Sequence, residues 1–157
     1  NLLKSEKQVM SKRKLVSWLI CLICIGLFPV SGEGSDPQIL KPRVPAEQID
    51  EVRTWANPFP STPQNIAKGK TLFHGKAFCV TCHGKDGKGY DHIPGLRGKL
   101  PRNFTDKSWQ ALRSDGELMW ILKNGSSGTA MVSFVPTILT EEEAWHLILY
   151  VRTFTKL

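Results

Sequence analysis

Five consecutive residues, Cys79-Val80-Thr81-Cys82-His83, are the part of the chain best equipped for chemistry. Two thiols three positions apart with an imidazole directly after the second form the attachment signal for c-type haem. The spacing has a chemical reason. Two thiols add across the two vinyl groups on one edge of a porphyrin, and one turn of backbone then carries the adjacent imidazole beneath the iron, making His83 the proximal axial ligand. Other uses of paired cysteines fit less well. A structural zinc needs a second cysteine pair or a histidine pair at metal spacing. A thioredoxin-like redox pair needs a strand–helix–strand setting. A Cys79–Cys82 disulfide would leave His83 without a purpose.

The other two cysteines, Cys21 and Cys24, lie in a segment of a different kind. Lys12-Arg13-Lys14 precede an uncharged apolar run, Leu15 to Val30, which ends at Ser31-Gly32 after Pro29. Basic, apolar and small-residue regions in this order read as a secretory signal peptide over residues 1–32, with Met10 as a candidate start. The run is 16 residues, short of the roughly 20 that span a bilayer comfortably, so cleavage is expected over retention as an anchor. Export agrees with the haem motif, because haem is attached to such motifs outside the cytoplasm.

Removing the leader changes the charge. The whole chain has 157 residues and a formal balance of +7, from 21 basic and 14 acidic residues. Without the leader, 16 basic and 13 acidic residues remain, or +3. No arginine-rich stripe interleaved with aromatics survives, so nucleic acid is not an expected partner. A membrane partner is expected only if the N-terminal segment is retained.

The elements that must position the haem motif are helices. The arm, residues 33–62, and the Pro63 that follows it hold six of the ten prolines, which favour extended backbone. Within this arm Ala46 to Asn57 has helical periodicity, with Ile49, Val52 and Trp55 on one face. These residues and Phe59 are apolar enough to pack the arm on the domain that follows, residues 63–157. There, Thr62 and Pro63 start a helix that runs to about Gly75. Thr105 is the expected cap of a short helix. Ser114 with Glu117, and Thr140 with Glu143, have capping-box spacing. Gly125 can end the first of these two helices. The last helix is expected to bury a stripe of Ala144, Leu147, Ile148 and Val151. No run alternates like a strand, so the fold class is all-α with long loops around one site.

With these residues in view, the chain from about Ile66 to Phe154 resembles the class I cytochromes c of the single-haem periplasmic kind. Gly69 and Phe73 match the glycine and aromatic that in this family meet the C-terminal helix, and Leu147 and Tyr150 match the opposing pair. Ile93-Pro94-Gly95-Leu96 resembles the family's Gly-Pro-x-Leu segment, with Ile93 in place of the glycine. The resemblance implies that the Pro94 carbonyl accepts the hydrogen bond of the His83 imidazole. It also implies that Met131, in the loop before the last helix, is the sixth iron ligand. Met119 lies inside an amphipathic helix. His74, His92 and His146, or no protein ligand at all, are the alternatives.

Two filled axial positions imply outer-sphere electron transfer through an exposed haem edge, between a respiratory donor and an acceptor such as a terminal oxidase. A haem subunit of a larger oxidoreductase is the alternative. A haem enzyme or gas sensor would need a displaceable sixth ligand. No nucleophile with an adjacent base and no nucleotide-binding glycine fingerprint appears. Eight basic residues between Lys68 and Arg102, against Asp86 and Asp91, suggest a basic face that steers an acidic redox protein.

Overall fold

The computed structural model describes residues 41–96 and 98–156. The leader expected over residues 1–32, the start of the arm and Arg97 lie outside the described residues. Six α-helices occur among the described residues: α1 Ile49–Arg53, α2 Pro63–His74, α3 Val80–His83, α4 Lys107–Leu112, α5 Asp115–Asn124 and α6 Glu141–Thr153. A 3-10 turn, Phe154–Lys156, follows. No strand occurs among these residues. The protein is all-α, as its sequence implies.

Helix starts are set by side chains that accept from otherwise unpaired N–H groups. Thr62 accepts from the Asn65 N–H, with Pro63 in the first turn of α2. Complete capping boxes open α5, through Ser114 and Glu117, and α6, through Thr140 and Glu143. Gly125 ends α5 at φ 72°. The cap of α4 differs from the expectation. Asp106 accepts from the Trp109 N–H at 2.9 Å, while the Thr105 hydroxyl and N–H both donate back to Asn103 Oδ1.

The packing centre is the crossing of α2 and α6. A Cβ on Gly69 would overlap the His146 carbonyl and lie 3.0 Å from Tyr150 Cβ, so this close approach requires a glycine. Phe73 fills the space beside it, edge-on to Tyr150 at 5.3 Å and tilted against Phe154 at 5.4 Å. All residues from Ala144 to Val151 are buried, a wider face than the expected stripe. The reason is that α6 is covered from more than one side. α2 crosses it, and Asn57 of the arm donates to the Trp145 carbonyl at 3.0 Å. Phe59 also lies against the His146 ring at 4.4 Å.

The arm from residue 41 onward thus packs on the helices. Its helix is five residues long, shorter than the periodicity of Ala46 to Asn57 implies. Val52 is 1% exposed, and a Cβ on Gly116 would overlap the Val52 carbonyl, so α1 and α5 touch backbone to backbone. Trp120 donates its indole N–H to Gln48 at 2.8 Å. Among the described residues no helix is long and apolar enough to cross a membrane.

Candidate functional site

The haem motif occupies α3 and the residue before it. Phe78 precedes Cys79 with φ 48°, a left-handed conformation rare outside glycine. After α3 the chain enters a glycine-rich loop. A Cβ on Gly87, at φ 73°, would sit 2.7 Å from the Phe154 ring, so the loop must present a bare backbone to the end of the C-terminal helix. The Phe104 N–H then donates to the Gly87 carbonyl at 2.7 Å and closes the excursion.

Cys79, Cys82, His83 and Met131 line one cavity of about 1300 Å³, its open mouth included. The rest of its wall is mainly apolar, with Phe73, Phe104, Leu122, Leu147, Ile148 and Val151 among the contributors. Both cysteines are free thiols. Burial pushes the Cys79 thiol up to about 12. At neutral pH the cysteine is therefore the uncharged thiol.

His83 Nδ1 lies 3.1 Å from the Arg102 carbonyl oxygen. A carbonyl can only accept, so Nδ1 carries the proton and Nε2 keeps its lone pair, the tautomer that an iron ligand needs. Burial lowers the His83 pKa to about 4, against the opposing effect of that hydrogen bond, so the ring is neutral at physiological pH. Phe104 stacks on the imidazole at 4.2 Å and 17° between planes, fixing its rotation.

This geometry corrects one expectation. Pro94 is exposed in a turn, and the acceptor for His83 is the carbonyl of Arg102, directly after Pro101. The Ile93-Pro94-Gly95-Leu96 segment copies the family's pattern in residue types. The chain needs eight more residues to return from its outward excursion to the imidazole. Phe104, missed in the sequence, could have been found from Pro101 followed by an aromatic just before the helix cap at Asp106.

The remaining candidates separate cleanly. Met131 is in the cavity wall, in a loop held by the Ser126 N–H donating to the Met131 carbonyl at 2.8 Å and by Thr129 Oγ1 accepting from the Met131 N–H at 3.1 Å. Met119 is fully buried in the helical core and does not line the cavity. His92 is exposed. His74 Nε2 pairs with the Tyr150 hydroxyl at 3.2 Å. His146 is buried beneath Phe59. None of these three lines the cavity.

The donor set fits covalent haem: two free thiols, an imidazole of the correct tautomer and an apolar cavity. The site and the helical fold together define a c-type haem domain. The family model "Cytochrome c" matches residues 66–155, and the chain belongs to that family. Its cofactor is haem c. Among solved structures, the chain is similar to the Kuenenia stuttgartiensis reducing HAO-like protein complex Kustc0457/Kustc0458, with 28% identity and a TM-score of 0.54 over 62% of this chain. The match spans 46% of that structure's chain. It is also similar to the KustC0563 c-type cytochrome, with 36% identity and a TM-score of 0.46, over 55% of this chain and 95% of that one. None of the curated proteins matches the sequence.

Proposed function

We propose that the chain is an exported electron carrier with one haem c, attached through Cys79 and Cys82 and ligated by His83 and Met131. The observation that carries this reading is the placement of these four side chains around a single apolar cavity. When bound, the haem supplies a one-electron ferric/ferrous couple. The protein's own residues hold it. Cys79 and Cys82 fix one edge, Arg102 orients His83 through its carbonyl, and Phe104 stops the ring from turning. With both axial positions filled, the iron has no open site for substrate, which favours transfer through the haem edge.

A redox protein with an acidic face is the proposed partner. The basic face is smaller than the residue count suggests, because Lys76 pairs with Glu143 at 2.7 Å and Lys88 with Asp86 at 3.6 Å. Lys85 and Lys99 are exposed and remain candidates for steering, so association should weaken with salt.

The alternative is a haem subunit of a larger oxidoreductase, favoured by the likeness to a chain of the Kuenenia complex. Purification from native membranes and soluble extract separates the two readings. A monomer that is reversibly oxidised and reduced in solution supports the carrier. Stoichiometric co-purification with a second redox protein at high salt supports the subunit.

A further inference from the structure

Arg43 lies in the arm, 23 residues before the segment that matches the family begins at Ile66. It nevertheless lines the haem cavity, together with Lys41, Lys99 and Arg102 at one side of the mouth. The same residues enclose a small polar recess with Ser127. Arg43 Nη1 donates to Ser126 Oγ at 2.9 Å, and Ser126 is itself 4% exposed.

A half-buried guanidinium is costly unless an anion faces it. Among the described residues no carboxylate forms an ion pair with Arg43 within 4.0 Å, whereas Arg53, Arg113 and Arg152 all have acidic partners. The backbone around it is fixed: Val44 is 5% exposed, and α1 beyond it touches α5 at Gly116. An organised cation therefore sits on the wall of a cavity whose cofactor is haem c. The only acidic groups on that macrocycle are its two propionates.

We propose that the arm closes the propionate side of the haem, with Arg43 as a carboxylate-binding residue that the family segment itself does not supply. A planar fork of N–H donors suits a carboxylate better than a point charge does. Ser126 holds the fork in place from the loop that also carries Met131, which couples the arm to that loop.

The test uses the full-length holoprotein and three variants, Arg43→Gln, Arg43→Lys and Lys41→Gln, with resonance Raman spectra of the propionate bending band and reduction potentials. Arg43→Gln should shift the band and lower the potential, because loss of a nearby cation favours the more positive ferric centre. Arg43→Lys should keep the potential close to wild type while still shifting the band, since charge is retained and the fork is lost. Lys41→Gln, exposed at the mouth, should leave the band in place. An unshifted band in both Arg43 variants overturns the proposal. So does a Lys41→Gln shift equal to that of Arg43→Gln, which would reduce the effect to general charge. If Arg43→Gln does not accumulate with haem, the band of Arg43→Lys decides.

Discussion

The α2–α6 crossing and the loop from Gly84 to Phe104 both serve the haem, but they are built in opposite ways. The crossing is made by side chains, or by the lack of one. Gly69 lets α2 approach the His146 carbonyl, and Phe73, Tyr150 and Phe154 fill the space around that contact. The loop is made by backbone. Its hydrogen bond to His83 comes from a carbonyl, that of Arg102, and apart from the Phe104 ring at its end it is held by backbone groups such as the Gly87 carbonyl and Phe104 N–H. Side-chain architecture leaves a trace in residue types; a carbonyl is the same on every residue. One half of the site is therefore far easier to break by substitution than the other.

The crossing should be the most sensitive. Gly69→Val should cost about 3 kcal/mol or more, because the added atoms meet the His146 backbone, which cannot move aside as a flexible side chain would. The gain in helix propensity is worth under about 1 kcal/mol and does not offset this. Thermal unfolding of the holoprotein checks it; an unchanged midpoint would contradict the close approach of α2 and α6 at Gly69.

Phe104 is the side-chain link between the two regions, since it stacks on His83 and also contacts Phe73 and Phe154. Phe104→Ala should cost about 2–3 kcal/mol, below the range for fully buried aromatics because the ring is only partly buried. It should also move the hyperfine-shifted His83 ring resonances in the NMR spectrum of the ferric holoprotein. A stability loss without that spectral change would make Phe104 a packing residue alone.

A smaller effect is expected at the start of α6. The Lys76 ammonium and the Thr140 backbone N–H hold the Glu143 carboxyl below its ordinary value of 4.5. A depressed carboxyl stabilises the fold above its unfolded pKa and loses that contribution as pH falls through the lower folded value. Lys76→Ala should therefore weaken stability at pH 7 by less than about 1 kcal/mol, as exposed pairs do. The difference between variant and wild type should shrink as acid protonates Glu143. A difference that persists in full below that titration would argue against the pair.

The smallest effect is expected at Pro94. Pro94→Ala should change stability by less than about 0.5 kcal/mol, as exposed positions do, and leave the His83 spectral signature as in wild type. A clear change in that signature would reinstate Pro94 as the partner of the imidazole.

The same contrast explains what could be read from the amino-acid sequence. The capping boxes of α5 and α6, the Thr62 cap and the glycine–aromatic crossing are encoded in particular side chains at fixed offsets, and they stand where the spacing puts them. The cap of α4 shifts by one residue, to Asp106, since Thr105 and Asp106 are adjacent residues of capping type and a capping preference does not choose between them. The arm's helix is shorter than its periodicity because Thr54 turns the chain, donating its hydroxyl to the Glu51 carbonyl at 2.6 Å. The Arg102 carbonyl had no signal of its own. The nearest one was Pro101 with Phe104, which the look-alike segment at Pro94 masked.

The most direct test of the site is the ferric absorption spectrum and reduction potential of the holoprotein beside its Met131→Ala variant. If His83 and Met131 hold the iron, the wild type shows a methionine-to-iron charge-transfer band. The variant keeps its covalent haem, loses the band and has a lower potential. A variant with the band and the potential of the wild type would contradict ligation by Met131.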